Sequence, residues 1–316
     1  MQQFSRPDPQ GTPLAGDLTG QAVLGLDGPQ APAGAQRFSH EAMATVYEVH
    51  AVHPDARYAA QAAQAAFDLV DRLERELSRF RPNSDISRIN HLGAGESTRV
   101  SPSTLECLAI ARHMFDVTGG AFDVSIGTGL PSLEFDPDDL TVRATTGGVR
   151  LDLGGVGKGF AVDGMAGVLD EWGITSALVH GGFSSVLALD PPPGADGWLL
   201  TMSDPRGASG VLARRSVSQT AFGASGLLKG GHIVDPRTGA PVSGRVAAWV
   251  ALARPAAVEP DAGAATAISD ALATACMLLD DGEIAGLCAR SPGLEAWVLS
   301  SADAGDPRPP SVRHFP

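Results

Sequence analysis

The sequence predicts a mixed α/β (α+β) protein. Segments with strand-like alternation and segments with helical periodicity follow one another along the 316 residues. The composition, 43% hydrophobic and 19% charged, is that of a globular chain with a sizeable core. The 38 glycines and 23 prolines predict many turns and long connections between these elements.

The N-terminal third predicts an arm, a strand and two helices. Residues 1–36 are rich in Pro, Gly, Gln and Ala without periodicity, which indicates an extended arm. Residues 37–52 alternate and predict one strand. Residues 59–80 predict a long amphipathic helix, and residues 101–120 predict a second helix with a capping box that starts at Ser103.

The middle of the chain predicts a βαβ unit, with strands at 149–153 and 174–182 around a helix at 157–173. The remaining elements are predicted as strands at 184–190, 197–202, 215–222, 245–253 and 294–300, and as helices at 270–282 and 283–290. The main domain therefore spans 37–300, and we expect residues 301–316 to form an irregular tail.

Charge and residue usage exclude several functions. A net charge of -13 argues against nucleic acid or an anionic membrane as the main partner. The spacing of Cys107, Cys276 and Cys288 fits neither a disulfide framework nor a zinc site, so we expect small core residues. No apolar run approaches the roughly 18 residues of a membrane span. Because no secretory signal is visible either, the sequence predicts a cytoplasmic protein.

The stretch LDLGGVGKGFAVDGMAGVL at 151–169 is rich in glycine and places Lys158 at a predicted helix start. Asp152 and Gly159 stand where a Walker loop needs a glycine and a hydroxyl, and Phe160 breaks the dinucleotide pattern. The stretch is either another anion-binding turn or a plain tight turn in which Asp152 accepts backbone N–H bonds.

A second polar segment, GGHIVDPRTGAP, contains His232 and Asp235 around two apolar residues. The histidine is a candidate base, although a lone histidine is more often structural. Asp235 either orients His232 or stabilises the turn that DPRTG predicts, and we favour the turn because Pro236 restricts the local geometry.

A third segment, ISDALATACMLL, places Asp270 and Thr274 four residues apart on one helix face. A carboxylate and a hydroxyl in this arrangement suit a hard cation, provided that other oxygens complete the shell. The structural alternative is that Ser269 or Asp270 caps the helix and that Thr274 only packs.

In this order, the segments resemble the ApbE family of FAD:protein FMN transferases. LDLGGVGKGFAVD is similar to the family's D-L-G-G-x-x-K-G-Y-x-x-D, GGHIVDPRTGAPV to H-I-I-D-P-R-T-G, and SDALATACMLL to D-A-L-A-T-A. Weaker similarities are found in HEAMATVYEV, LSRFRPNSDISRIN, GGAFDVSIG and LVHGGFSSVLALD. Together they cover residues 38–300.

The resemblance implies transfer of FMN from FAD to a Thr or Ser hydroxyl of a target protein, with loss of AMP and a need for Mg²⁺ or another divalent cation. The fold would be one compact unit of two lobes around mixed sheets, and FAD would lie in a cleft between the lobes. The cation would be held by Gly155, Asp270 and Thr274, and His232 would be the base for the acceptor hydroxyl. The FAD pocket would be lined by Met43, Phe80, Ala121, Phe122, Asp123, Asp152 and Lys158.

The chain departs from the family pattern at several positions. Ala44 replaces a glycine, Phe183 stands in an acidic place, and Ala267 replaces a further acid near the metal helix. His180 is a second candidate base, with a place in the pocket wall as the structural alternative. Relatives are often periplasmic lipoproteins, whereas this sequence predicts a cytoplasmic target.

Two other functions stay open from the sequence. The same site would act as an FAD pyrophosphatase if water replaced the acceptor hydroxyl, giving FMN and AMP. The missing acid at Ala267 and the altered turn at Phe183 also leave room for a protein that carries FAD without cleaving it.

Overall fold

The computed structural model describes residues 24–26, 34–205, 211–227, 233–254, 263–300 and 312–316. The strands in these ranges are β1 (Leu24–Leu26), β2 (Ala35–Ala42), β3 (Thr45–Val52), β4 (Ser97–Arg99), β5 (Leu133–Asp136), β6 (Thr141–Ala144), β7 (Ala177–Gly181), β8 (Ser185–Ala188), β9 (Trp198–Ser203), β10 (Val211–Val217), β11 (Thr220–Gly226), β12 (Arg245–Ala253), β13 (Leu294–Ser300) and β14 (Val312–Phe315). The helices are α1 (Ala56–Leu77), α2 (Asp85–Ile89), α3 (Pro102–Val117), α4 (Gly157–Glu171), α5 (Ala265–Cys276) and α6 (Asp281–Arg290).

An eight-stranded sheet, in the order β14-β13-β12-β11-β8-β7-β3-β2, forms the centre of the fold. Helices α1, α4 and α5 pack on one face of it, and the three-stranded sheet β1-β9-β10 packs on the other. Strand alternation separates the two faces: Val179 and Leu187 join the core on the helix side, and Leu178 and Val186 join the core on the sheet side. This arrangement confirms the mixed α/β class.

The predicted βαβ unit is wrong, because all the strand pairs of the described residues are antiparallel. Residues 149–153 form no strand although Leu151 is buried. The Asn90 side chain takes the place of a neighbouring strand, since it accepts from Leu151 N at 2.6 Å and donates to Leu151 O at 3.0 Å. The backbone is satisfied without a ladder.

Two segments predicted as single strands are hairpins. Residues 37–52 turn at Met43 and Ala44, whose φ angles of 49° and 57° lie in the left-handed region. Residues 215–222 turn at Gln219, which has a φ of 45°. The residues at these turns did not interrupt the alternation and include no glycine or proline, so the sequence pattern did not reveal the reversals.

Helix boundaries also differ from the predictions. The N-cap of α3 is Ser101, whose hydroxyl accepts from Thr104 N, so the capping box predicted at Ser103 is wrong. Helix α5 starts at Ala265, five residues before the predicted start, which rules out Ser269 and Asp270 as caps. Part of the tail predicted to be irregular forms β14, and part of the arm forms β1 and the start of β2.

Helix α5 fits closely between the sheet and α4 because two glycines lack a Cβ atom. A Cβ on Gly223 of β11 would lie 2.1 Å from Ser269 O, and one on Gly159 would lie 2.4 Å from Thr266 O. The three cysteines are buried and free, as predicted. No helix of the described residues is long and apolar enough to span a membrane.

Candidate active site

A cavity of about 380 Å³ opens beside α5 and the glycine-rich turn that precedes α4. The structure brings eight of the predicted site residues to its wall: Ala121, Phe122 and Asp123 from the loop after α3, Asp152, Gly155 and Lys158 from the turn and the start of α4, and Asp270 and Thr274 from α5. Segments more than a hundred residues apart in the chain therefore meet at one site.

Asp270 is the buried charge of this cavity, with only 3% of its surface exposed. Its Oδ2 accepts from Ser185 Oγ at 2.9 Å and from Gly159 N at 3.1 Å. Lys158 Nζ lies 3.4 Å from the same oxygen. Burial raises the pKa of Asp270, against the opposing effect of Lys158 and of the two hydrogen bonds. Within the described residues, no donor contacts Oδ1, so this oxygen is available to a cation.

The glycine turn presents a lysine and a helix start to the same cavity. Lys158 Nζ donates to Gly154 O at 3.0 Å, which holds the ammonium group beside the turn. Helix α4 has no side-chain cap at its N-cap residue, Val156. Gly159 N in the first turn already donates to Asp270, so the anionic ligand is favoured by the ammonium group and by the helix dipole.

Asp152 closes the turn and also binds an arginine. Its Oδ1 accepts from Gly154 N at 3.0 Å, and its Oδ2 pairs with Arg79 Nε at 2.8 Å. The guanidinium of Arg79 stacks over the ring of Phe80, 4.1 Å from its centroid. Phe80 itself is 76% exposed and is not part of the cavity wall, so it reaches the site only through Arg79.

The loop after α3 forms an apolar wall that Asp123 holds in shape. Asp123 accepts from Ser125 N and Ser125 Oγ through Oδ1 and from Gly127 N through Oδ2, at 2.7–2.8 Å. Both oxygens of the Asp123 carboxylate thus accept hydrogen bonds from its own loop. Phe122 and Ile126 line the cavity, and Ile126 is 54% exposed with a positive φ of 49°. An apolar side chain exposed in a cavity suits contact with a flat ring.

Three residues that could hold a divalent cation, Gly155, Asp270 and Thr274, line the cavity where α5 meets the glycine turn. A Cβ on Gly155 would lie 3.5 Å from Thr274 Oγ1, so the backbone of Gly155 is close to that hydroxyl. Asp270 lies one helical turn before Thr274. Carboxylate, hydroxyl and backbone oxygens are the donors that Mg²⁺ prefers, and the residues present fit such an ion.

Asp163, the last residue of the signature stretch, fixes the start of α5 from α4. Its carboxylate accepts from Thr266 N at 3.0 Å and from Ala267 N at 2.8 Å. Helix α5 has no side-chain cap of its own, so Asp163 satisfies its free N–H groups in trans. Burial raises the pKa of Asp163 to about 7, although these hydrogen bonds favour the charged form.

Three other candidates lie away from the cavity wall, and a fourth, His232, is not among the described residues. Met43 is at the β2–β3 turn, where its sulfur contacts Tyr47 Oη at 3.1 Å, and it does not line the cavity. Asp235 accepts from Arg237 N and Nε at 2.9 and 3.0 Å, which confirms its role in the turn. His180 does not line the cavity, because it faces the other side of the sheet with Glu48 and Leu178. His232 lies outside the described residues, and its role stays a prediction.

Several residues of the site were missed from the sequence. Ser185 binds Asp270, Ser184 and Val234 line the cavity, and the buried phenol of Tyr47 lies close enough for the charge of Asp270 to raise its pKa further. Ser184 and Ile126 stand inside quoted family segments, which was the available signal. Tyr47 stands in the quoted segment HEAMATVYEV, but nothing there indicated a buried phenol near Asp270.

A second buried polar cluster lies on the opposite face of the sheet and consists of Arg37, Glu48, His50 and His180. Glu48 Oε2 is 3.0 Å from His180 Nε2, 3.2 Å from His50 Nε2 and 3.0 Å from Arg37 Nε. These hydrogen bonds hold the pKa of Glu48 well below its usual range despite burial, and burial lowers the pKa of His180. The cluster is internally neutralised.

A buried carboxylate, a lysine and a helix N-terminus at one cavity are typical of proteins that bind a phosphate-bearing ligand with a divalent cation. The comparisons with known proteins narrow this class. The chain belongs to the ApbE family, whose sequence pattern matches residues 43–298.

Curated relatives support the assignment over most of the chain. The FAD:protein FMN transferase of Vibrio cholerae serotype O1 is 26% identical, over 90% of this chain and 93% of its own. The protein of the same name from Treponema pallidum is 27% identical, over 75% and 76%.

Solved structures agree on the fold. The flavin transferase ApbE from Vibrio cholerae matches with a TM-score of 0.74 at 20% identity, over 89% of this chain and 97% of its own. The Pseudomonas stutzeri flavinyl transferase ApbE in its apo form matches with a TM-score of 0.73 at 21% identity, over 89% and 94%.

Proposed function

We propose that this protein transfers FMN from FAD to a threonine or serine hydroxyl of a target protein, releases AMP, and requires Mg²⁺ or a similar divalent cation. The observation that carries the proposal is the position of Asp270, a buried carboxylate with a free oxygen at the cavity, beside Thr274 and the glycine turn. The name of the curated relatives, FAD:protein FMN transferase, supports the same reaction.

The reaction is a phosphoryl transfer in which one P–O bond replaces another. The acceptor hydroxyl oxygen bonds to the phosphorus of the FMN half, and the bond from that phosphorus to the bridging oxygen breaks. AMP leaves with the bridging oxygen, and the hydroxyl proton passes to a base. His232 remains the predicted base, and an unperturbed pKa near ~6.5 suits that role at neutral pH.

The chain's own groups position and neutralise the pyrophosphate. Lys158 and the first turn of α4 supply positive potential at one end of the cavity. Phe122 and Ile126 offer an apolar surface to a ring of FAD. Gly155, Asp270 and Thr274 would hold the cation, which supplies further positive charge against the phosphates. Local positive charge of this kind offsets the overall net charge of -13, which would otherwise disfavour an anionic ligand.

The test is an incubation of the full chain with FAD, Mg²⁺ and a threonine-bearing acceptor peptide, followed by mass spectrometry. We expect AMP and FMN-peptide in equal amounts, both lost in Asp270→Asn. Asp170→Asn, an exposed carboxylate on α4, is the matched control and should keep both products.

The other outcomes separate the alternatives. AMP with free FMN and no modified peptide would favour a pyrophosphatase. FAD that binds but stays intact would contradict the proposal and favour a flavin carrier.

A further inference from the structure

The polar cluster on the sheet face opposite the cavity contains three groups that bind metals. Glu48 and His50 are on the same face of β3, and His180 is the register partner of Glu48 in β7. Their ligand atoms lie within 4.8 Å of one another, and all three residues are buried. We propose that Glu48, His50 and His180 form a second metal site, selective for Zn²⁺ or a similar transition-metal ion.

The distances fit a shared ion. Zinc binds imidazole nitrogen and carboxylate oxygen at about 2.0–2.2 Å, so neighbouring ligands in a tetrahedron are roughly 3.4 Å apart. Glu48 Oε2 is 3.0 Å from His180 Nε2 and 3.2 Å from His50 Nε2. Two of the ligand-to-ligand distances are therefore close to those of a tetrahedral site. The strands that hold these ligands, β3 and β7, are paired with each other.

Arg37 controls access to this site. Its guanidinium bonds both oxygens of Glu48, with Nε at 3.0 Å from Oε2 and Nη2 in contact with Oε1. The Arg37 side chain is 61% exposed on the edge strand β2, whereas that of Glu48 is 5% exposed. An ion that displaced Nε from Oε2 would leave the contact at Oε1 as an outer hydrogen bond, which is common around metal-bound carboxylates.

The donor set separates this site from the cavity. Two imidazoles and one carboxylate suit Zn²⁺, Co²⁺ or Ni²⁺, whereas the oxygen donors near Asp270 suit Mg²⁺. A metal at His180 would tie β3 to β7 just before the turn that leads to Ser184 and Ser185, which contact the cavity and Asp270. Its expected role is to hold that turn in place.

The experiment uses the full chain, freed of metal by a chelator and then kept in saturating Mg²⁺. Co²⁺ is titrated in, and its visible ligand-field absorption is recorded for the wild type, Glu48→Gln, Arg37→Gln and Asp270→Asn. Glu295→Gln is the matched control, because Glu295 bonds Arg215 at 2.7 Å and one histidine, His314, at 2.9 Å.

We expect one intensely absorbing Co²⁺ per chain. Loss of a ligand in Glu48→Gln should weaken binding at least about tenfold, in line with the cost of even an outer-shell change. Arg37→Gln should bind Co²⁺ several-fold more tightly, because a competing positive charge is gone. Glu295→Gln should bind as the wild type does.

Three results would overturn the proposal. One is the absence of Co²⁺ absorption in both the wild type and Arg37→Gln, and another is unchanged binding in Glu48→Gln. The third is a Co²⁺ signal that disappears in Asp270→Asn, which would place the ion in the cavity. Arg37 is largely exposed, so its variant keeps the test decisive if Glu48→Gln does not fold.

Discussion

Asp270 and Glu48 are two carboxylates buried to the same extent on opposite faces of one sheet, yet their electrostatic states differ. Glu48 is bonded by an arginine and two histidines, and its pKa is lowered. Asp270 has one lysine at 3.4 Å, two neutral donors and a raised pKa. Burial is therefore not what distinguishes the candidate active site. What distinguishes it is a buried charge that the protein leaves partly uncompensated beside a cavity.

The largest effect should come from Asp270→Asn, which keeps the shape and the hydrogen-bond acceptor but removes the charge. We expect the rate of FMN transfer to fall about 1000-fold, as when a principal electrostatic group is lost. The free energy of unfolding should stay equal or rise, because an unfavourable buried charge is removed. Rates come from the peptide assay and stability from urea unfolding. If Asp270→Asn instead lowered the free energy of unfolding, the Asp270 charge would be as well compensated as that of Glu48, and the two carboxylates would not differ.

The opposite result is expected for Glu48→Gln in metal-free buffer. Removing one partner of a buried, hydrogen-bonded charge cluster should lower the free energy of unfolding by about 3 kcal/mol. Urea unfolding of the variant beside Asp270→Asn measures the difference directly. If Glu48→Gln has the same urea midpoint as the wild type, the hydrogen bonds of Glu48 to Arg37, His50 and His180 do not stabilise the fold.

Asp163→Ala tests how far the site depends on the placement of α5. The variant loses both bonds to the helix start, so the unfolding free energy should fall by roughly 1–2 kcal/mol. If Asp163 is a positioning residue, the Asp163→Ala variant should also need more Mg²⁺ for half-maximal transfer. Its rate at saturating Mg²⁺ should stay closer to that of the wild type. Asp163→Asn keeps one acceptor oxygen and should restore part of the Mg²⁺ response. A change in stability alone would limit Asp163 to a structural role.

The pH dependence of stability gives a separate reading of Asp163. The folded pKa of about 7 is above the value near ~3.9 expected in the unfolded chain. The folded state therefore favours the protonated acid, and the contribution to stability is complete below about pH 4 and lost as the pH rises to about 7. Relative to Asp163→Asn, the wild type should lose stability across this window. Urea unfolding of both proteins at several pH values measures the slope, and parallel curves would argue against a raised pKa.

The smallest effect concerns the hairpin that carries Glu48. Ala44 has a φ of 57°, where a side chain costs roughly 1–2 kcal/mol and glycine costs nothing. Ala44→Gly should therefore raise the unfolding free energy by about 1 kcal/mol. Ala42→Gly, two residues earlier in β2, is the control and should lower it. Thermal unfolding of the two variants should shift in opposite directions, and a loss of stability in Ala44→Gly would show that its methyl group packs usefully.

Short motifs predicted the cavity well, because a contiguous segment carries its own geometry. The four-residue spacing of Asp270 and Thr274 placed both on one helix face, and the glycine stretch placed Asp152 and Lys158 at one turn. Contacts between distant segments could not be predicted in this way. Asp163 reaches Thr266 across 103 residues, and His180 reaches Glu48 across 132.

The missed secondary structure has a similar cause. Leu151 lies in a strand-like pattern, but its backbone partner is the side chain of Asn90, 61 residues away. The turn at Met43 and Ala44 needs two positive φ angles without a glycine, which no local rule predicts. Alternation of apolar residues predicts which side chains are buried. It does not show whether the backbone hydrogen bonds go to another strand or to a side chain.

The close fit at Gly159 and Gly223 restricts how the cleft can be redesigned. Any other residue at Gly223 would push the backbone that carries Asp270 away from the sheet, and any other residue at Gly159 would push it away from α4. A mutant library for a new acceptor or a new nucleotide should hold these two positions fixed and vary the apolar wall at Phe122 and Ile126 instead. The apolar wall of the cleft is open to engineering, whereas the spacing of its backbone depends on two glycines whose side chain is a single hydrogen atom.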